Sequence, residues 1–192
     1  MDVPQDKLDI KEIILEKESE SIGSVIAQKV WQNRIFPFPS GILKYDGTFI
    51  ELCITRDTTE ETRTIVSVSN RFPIANIIED VEFEDFLDSD YNVLDEQCES
   101  SSLSTGVKVV GGGGSLGADG FVTVLDLYND DMKWIAFFED SNPFVEVGIK
   151  KDKALAVSNL DYLWTFEIHR PEIITIEKGD PKGYDIRKKR LT

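Results

Sequence analysis

The sequence predicts an α+β protein, with an N-terminal helix and β-hairpin and a larger, mainly antiparallel β-sheet (a meander) in the C-terminal half. Three observations predict this fold class. Apolar residues recur at helical spacing between Ser19 and Asn33, Asp46-Gly47 separates two strand-like runs, and six short runs rich in β-branched and aromatic residues follow from Phe121. The chain has 192 residues, which is enough for one substantial domain.

The N-terminal helix is predicted from its apolar face, which comprises Ile22, Val25, Ile26, Val30 and Trp31. The segment Phe36-Pro37-Phe38-Pro39 should end this helix and cover the edge of the core. Asp46-Gly47 is typical of a two-residue hairpin turn between strands that run to Tyr45 and from Thr48.

Two further elements are predicted before the C-terminal sheet. The alternation from Arg63 to Ser69 indicates a strand, and Pro73 is expected in the first turn of a helix that runs to about Leu87. The polar, serine-rich run Leu94–Thr105 is predicted to be a loop. We expect a single α+β domain over residues 1–177, with any subdivision near residues 95–106, and a basic, loosely ordered tail over residues 178–192.

The C-terminal half contains the strongest strand signals. The six predicted strands are Phe121–Tyr128, Met132–Phe138, Phe144–Ile149, Ala154–Val157, Leu163–Ile168 and Ile173–Glu177. Turn residues separate them at intervals of about ten residues, which favours an antiparallel meander.

The charge of the chain is strongly acidic. There are 36 Asp and Glu residues against 21 Lys and Arg, a formal net charge of −15, and residues 1–177 carry 34 acids and 15 bases. This field repels phosphate backbones and favours association with a basic protein. We therefore expect no nucleic-acid binding.

No apolar run approaches 18 residues and the first residues do not resemble a signal peptide, so we expect a cytoplasmic protein without membrane contact.

The acidic residues concentrate between Phe72 and Val107, a stretch without Lys or Arg. Aromatic residues lie among them, as expected of a surface that binds a cationic partner. The predicted partner-binding residues are Glu79, Asp80, Glu82, Phe83, Glu84, Asp85, Phe86, Asp88, Asp90, Tyr91, Asp95, Glu96 and Glu99. The leading hypothesis is an interaction protein that neutralises a basic partner by mimicking phosphates. An immunity protein against a nuclease-type toxin domain would have these general features, although no motif identifies such a family.

Two loop motifs formally match ligand-binding patterns. Gly112-x-Gly114-x-x-Gly117 matches a dinucleotide fingerprint, but strand-like residues follow where that motif requires a helix, so a flexible connection between strands is predicted instead. Asp88, Asp90, Asn92 and Glu99 occupy four ligand positions of a calcium loop of the EF-hand type. Val93 stands where that loop needs glycine, so the motif is a weak candidate and we expect no bound cofactor or metal.

No recognised catalytic motif is present, and we expect a protein that is not an enzyme. His169, the only histidine, falls at the end of a predicted strand and is expected at the surface. Cys53 is predicted to be a buried thiol, and acids near Cys98 should disfavour its thiolate; whether the two form a disulfide stays open. A hydrolase that uses carboxylates, with or without a divalent metal, remains an alternative.

Another alternative uses the aromatic residues of the C-terminal sheet. Trp134 and Trp164 lie in predicted strands, where tryptophan most often belongs to the core. If either ring were accessible, the protein would be a carbohydrate- or peptide-binding β module. Binding to such a module would depend little on salt and would change tryptophan fluorescence.

Overall fold

The computed structural model describes residues 22–36, 40–56, 64–78, 92–115 and 117–178. Within these ranges the chain forms a helix α1 (Ile22–Gln32), a four-residue helix α2 (Ala75–Ile78) and thirteen strands. The strands are β1 (Ile35–Phe36), β2 (Gly41–Lys44), β3 (Thr48–Arg56), β4 (Thr64–Pro73), β5 (Asn92–Val93), β6 (Asp95–Ser102), β7 (Val107–Gly113), β8 (Gly120–Asp126), β9 (Met132–Phe138), β10 (Phe144–Lys150), β11 (Lys153–Ser158), β12 (Tyr162–Glu167) and β13 (Arg170–Lys178).

Eleven of these strands form one antiparallel sheet in the order β10-β11-β12-β13-β4-β3-β2-β9-β8-β7-β6, while β1 pairs with β5. The sheet curls until its two end strands approach each other. The Cys98 Sγ atom on β6 lies 3.4 Å from the carbonyl oxygen of Phe144 on β10. The sheet is therefore nearly closed and barrel-like, an arrangement that protects most strand edges.

The N-terminal strands are part of this sheet rather than a separate unit beside it. Strand β2 pairs with β9, with Leu43 opposite Ile135, and β4 pairs with β13 through Thr64 and Ile176. Strands β2, β3 and β4 connect two meanders, one from β6 to β9 and the other from β10 to β13. The predicted α+β class is roughly compatible with this mainly β structure, and all six predicted C-terminal strands are confirmed, but the closure of the sheet was not predicted.

Apolar residues on both faces of the sheet build the core. An inner cluster, which includes Val122, Trp134 and Phe166, fills the concave side of the sheet. An outer cluster, which includes Phe121 and Phe137, packs beneath α1. Strands β8 and β9 are buried on both faces because successive side chains alternate between the two clusters.

The predicted N-terminal helix is confirmed as α1, but only part of its predicted apolar face is buried. Ile26, Val30 and Trp31 are buried against the outer cluster, whereas Ile22 is 48 % exposed. The helix rests closely on the β2–β3 hairpin, where a Cβ atom on Gly23 would lie 3.1 Å from the Cα atom of Gly47.

The predicted hairpin at Asp46-Gly47 is confirmed, but its loop has three residues rather than two. The amide of Gly47 donates a hydrogen bond to the carbonyl of Lys44 at 2.9 Å, and Gly47 has a φ of 79°. A turn followed by a left-handed glycine is a common three-residue hairpin connection. The glycine is needed twice, for its φ and because a Cβ atom would clash with Gly23.

The prediction of a loop over Leu94–Thr105 is wrong, because residues 95–102 form β6. The polar strand is held by its backbone ladder with β7, which pairs Glu99 with Val110 and Ser101 with Lys108. Polar composition misled the prediction, since a strand whose side chains are mostly exposed needs few apolar residues. The same sheet therefore continues through the predicted point of subdivision.

The glycine run does not form only a flexible connection, because residues 111–113 belong to β7. A Cβ atom on Gly111 would lie 2.7 Å from Val147 on β10, and one on Gly112 would lie 1.9 Å from the carbonyl oxygen of Asp95. The absent side chains therefore let neighbouring strands approach where the sheet nearly closes.

Two other predictions need correction. Pro73 is the last residue of β4 rather than the start of a helix, and α2 begins two residues later. Cys53 is exposed on β3 rather than buried, because its side chain lies on the opposite face of the sheet from the buried Leu52. The tail predicted over residues 178–192 lies outside the described residues except for Lys178, which ends β13.

Candidate barrel-mouth cavity

A cavity of about 590 Å³ opens at one end of the barrel. It lies where β12 begins and β13 nears its end, beside the loop from β9 to β10. The described residues that line it are Ser40, Leu52, Ile54, Thr64, Glu139, Asp140, Ser141, Asn142, Leu160, Tyr162, Trp164 and Ile176. Its volume lies in the range of small-ligand sites, although half of the described lining residues are polar or charged.

The wall of the cavity contains Trp164, which is only 5 % exposed. Its ring centroid lies 4.6 Å from that of Phe138 and 5.5 Å from that of Phe144, the latter edge-on at 86°. These contacts hold the indole in a fixed orientation. Tyr162, two residues earlier on the same face of β12, is half-buried and extends the aromatic wall towards the opening.

Residues 139–142 of the loop Glu139–Pro143, which we call the rim loop, also line the cavity. The backbone of the rim loop is held from both sides. The amide of Glu139 donates to Ser40 Oγ at 3.2 Å, the amide of Asn142 donates to the carbonyl of Ala118 at 2.7 Å, and the carbonyl of Pro143 accepts from Asn159 at 2.9 Å.

The rim loop also contains unusual backbone conformations. Asp140 and Asn142 have φ values of 59° and 62°, in the left-handed region that most residues avoid. The buried hydroxyl of Ser141 between them donates to the carbonyl of Phe138 at 3.2 Å. The surrounding hydrogen bonds therefore hold the loop in one conformation, of a kind that Asp130, Lys151 and Asp161 also adopt in other turns of this chain.

Among the described residues, three buried side-chain polar atoms have no hydrogen-bond partner, and all belong to neighbours of the rim loop. They are Asp119 Oδ2, Ser158 Oγ and Trp164 Nε1. Asp119 follows the residue that bonds to Asn142, and Ser158 pairs with Phe144 directly after the loop. Each unpaired buried group costs about 1–3 kcal/mol. Buried groups of this kind are commonly satisfied by ordered water or by a ligand.

The two tryptophans singled out in the sequence differ in their roles. Trp134 is 2 % exposed in the inner cluster, and its Nε1 donates to the carbonyl of Ile168 at 2.8 Å. It is a satisfied core residue. Trp164 lines the cavity and its Nε1 is unsatisfied, so the structure selects Trp164 of the two as the candidate binding residue.

Most of the predicted acidic surface lies outside the described residues. This applies to Glu79, Asp80, Glu82, Phe83, Glu84, Asp85, Phe86, Asp88, Asp90 and Tyr91. The remaining three, Asp95, Glu96 and Glu99, are exposed on β6. Glu96 forms an ion pair with Arg34, whose guanidinium lies 3.6 Å from the centre of the Trp31 ring. The described part of this surface is thus separate from the residues that line the cavity.

The calcium-loop candidate is only half described. Asn92 lies in β5 opposite Phe36, and Glu99 lies in the middle of β6 opposite Val110, while Asp88 and Asp90 are outside the described residues. A strand therefore stands where an EF-hand has its exit helix. In the described ranges no three His, Cys, Asp or Glu side chains are arranged to hold a metal ion.

The remaining candidates are isolated side chains. His169 is exposed in the turn from β12 to β13, as expected, and the neighbouring Arg170 pairs with Glu167 at 2.8 Å. Cys53 and Cys98 are both free. Burial raises the pKa of the Cys98 thiol to about 11, with the Glu146 carboxylate adding to the effect. Its thiolate is therefore disfavoured, mainly by burial rather than by nearby acids.

The rim loop and Tyr162 were not predicted as site residues. Asn142-Pro143 was recognised only as a turn, and left-handed Asp and Asn residues are common in ordinary turns. Cavity-lining residues such as Ser40, Leu52 and Trp164 are far apart in the sequence. Because only the pairing of distant strands brings them together, no local pattern could have identified the site.

Comparisons with protein-family models, with curated proteins and with solved structures find no match to this chain. Neither helix in the described ranges has the length and apolar character needed to cross a membrane.

Proposed function

We propose that this protein is a binding protein, without catalytic activity, that holds a carbohydrate or peptide ligand in the barrel-mouth cavity. The observation that supports the proposal is a cavity of about 590 Å³ whose lining includes the half-buried ring of Tyr162 and, behind it in the core, the indole of Trp164, which is 5 % exposed. Aromatic faces bury large apolar area at little entropic cost, and the few polar groups of the rim would orient the ligand. Because hydrogen bonds already hold the rim loop in place, ligand binding would cost little of the loop's conformational entropy.

A fluorescence experiment tests this proposal. A panel of oligosaccharides and short peptides is titrated into the wild type, a Trp164→Phe variant and a Leu160→Trp variant. Leu160 lines the cavity but is 54 % exposed, so the larger ring should obstruct the opening without disturbing the core. Trp31→Phe is the matched control, because Trp31 lies on α1 in the outer cluster and does not line the cavity.

We expect at least one panel member to change the wild-type fluorescence. The change should be lost in Trp164→Phe and retained in Trp31→Phe, and Leu160→Trp should weaken binding about 10-fold or more, which corresponds to roughly 1.4 kcal/mol. The proposal fails if a bound panel member is indifferent to Trp164→Phe and Leu160→Trp, or if the folded wild type binds no member.

A second candidate function is the neutralisation of a basic protein partner by the acidic surface. It is supported by the net charge of −15 and by the exposure of Asp95 and Glu99 on β6. A toxin domain with substrate-binding cations is one partner of this kind. Exposed carboxylates of this type would speed the encounter with such a partner at low salt.

If this second function is correct, the chain should retain a basic protein at low salt and release it at high salt. A pull-down at low and high salt compares the wild type with Asp85→Lys/Asp88→Lys/Asp90→Lys and with Asp95→Lys/Glu99→Lys. A variant with Asp131→Lys/Asp152→Lys, in the β8–β9 and β10–β11 turns, matches the change in net charge of Asp95→Lys/Glu99→Lys. If all versions retain the same proteins, the acidic surface serves only to keep the protein soluble.

A further inference from the structure

The charged groups that line the barrel-mouth cavity are all of one sign. Glu139 and Asp140 on the rim loop are both exposed at the opening, and no Lys or Arg is found among the described residues that line the cavity. Neither carboxylate forms an ion pair within the described part of the chain, whereas Glu167 and Glu172 pair with Arg170 and Arg71. The rim is therefore an uncompensated negative edge.

The described lining also includes two aromatic residues, Tyr162, which is half-buried, and Trp164, which is 5 % exposed. A cation is attracted both to carboxylates and to the face of a tryptophan or tyrosine ring, and the attraction to the ring is stronger where water is excluded. The aliphatic part of the lining comprises Leu52, Ile54, Leu160 and Ile176, so an apolar stem could be buried behind a charged head. An anionic group would meet two carboxylates and no cationic side chain among these residues.

We infer that the group this cavity admits is cationic: an ammonium or guanidinium carried on an apolar stem. The inference rests on the function proposed for the cavity and names the chemical class of its ligand. Glu139 and Asp140 contact the charged head, while Tyr162 and Trp164 flank the stem. The same chemistry could come from a free alkylamine or from a lysine or arginine side chain of a peptide.

The position of the rim loop adds to this inference independently of its charge. The loop is held by hydrogen bonds to Ser40, Ala118 and Asn159, so its two carboxylates are carried on a backbone that needs little reorganisation. Such preorganisation preserves affinity for a small charged group.

The test uses pairs of probes that differ only in charge. Nα-acetyl-lysine methylamide is compared with its Nε-acetylated, neutral counterpart, with Nα-acetyl-arginine methylamide and with n-butylamine. Binding is followed by tryptophan fluorescence and by NMR chemical shifts. The variants are Glu139→Gln/Asp140→Asn and, as the control of equal charge change, Asp131→Asn/Asp152→Asn, whose sites lie in turns at the opposite end of the barrel.

We expect the charged lysine probe to bind about 10-fold more tightly than the neutral probe, as one favourable, partly desolvated charge contact would give. This ratio should fall to about 1 in Glu139→Gln/Asp140→Asn and persist in the control. Tighter binding of the lysine probe than of n-butylamine points to a peptide side chain, and the reverse points to a free amine. Either order supports the inference.

Four results would overturn it, and they differ in what else they imply. If the neutral probe binds as tightly as the charged one, the cavity binds ligands but does not select cations. If the ratio survives in Glu139→Gln/Asp140→Asn, the two rim carboxylates do not select the cation. If no probe binds while an oligosaccharide from the panel does, the cationic class is wrong and the proposed function stands. If neither probes nor panel bind, both proposals fail.

Discussion

A matched pair of substitutions, Trp134→Phe and Trp164→Phe, measures the cost of the unpaired indole at the cavity. Both side chains are almost fully buried, at 2 % and 5 % exposure, so both lose similar packing when the indole becomes a phenyl ring. Only Trp134 also loses a hydrogen bond, the 2.8 Å contact from Nε1 to the carbonyl of Ile168. Trp164→Phe instead removes a buried donor that has no partner.

We therefore expect Trp134→Phe to lower the free energy of unfolding by about 1–2 kcal/mol more than Trp164→Phe does. Urea unfolding followed by far-UV circular dichroism measures the difference. With a slope of about 2–3 kcal/mol per molar urea, the two midpoints should differ by roughly 0.5 M at unchanged slope. Equal midpoints, or a lower midpoint for Trp164→Phe, would refute the reasoning, because the indole of Trp164 would then be making a hydrogen bond in solution.

Two other predictions concern the region where the sheet nearly closes. Gly112→Ala should lower the free energy of unfolding by about 2–3 kcal/mol or more in thermal unfolding, because its Cβ atom would lie 1.9 Å from the carbonyl oxygen of Asp95. Gly117→Ala, with open space around it but a φ of 76°, should cost only about 1–2 kcal/mol; equal costs would contradict the packing argument. The second concerns Cys98, whose pKa is raised to about 11 in the folded protein from 9.0, so the folded state holds the thiol proton more tightly. The stability from this thiol should be complete below about pH 9 and decline as the pH rises through about 11, an effect that Cys98→Ala should abolish. At pH 8, iodoacetamide should alkylate the exposed Cys53 before Cys98, as mass spectrometry of the labelled peptides would show.

Prediction from the sequence succeeded where the signal was local. The strands from Phe121 onward and the hairpin at Asp46-Gly47 carry their own turn residues and alternating side chains, so they could be read without knowledge of their partners. It failed at β6, whose polar residues form a strand only because β7 supplies a ladder. It also failed at Gly111–Gly113, where glycine allows close packing rather than flexibility.

The candidate site could likewise be predicted only where a local signal exists. Trp164 was among the residues considered, because a tryptophan in a strand is visible in the sequence. Its difference from Trp134 was not visible, since both occur in similar apolar, aromatic runs. Only the fold shows that one indole donates to the carbonyl of Ile168 and that the other lines a cavity.

The sequence by itself determined the acidic charge, the positions of the C-terminal strands and the helix that covers one face of the sheet. These properties depend on composition and on short-range periodicity, which every segment carries within itself. Only the tertiary structure decided that the N-terminal strands connect β9 to β13, that the sheet nearly closes and that the rim loop and Trp164 both line the cavity. The physical reason is that pairing between distant strands depends on how the whole chain buries its apolar surface, so residues as far apart as Ser40 and Ile176 share one cavity without any signal in the segments between them.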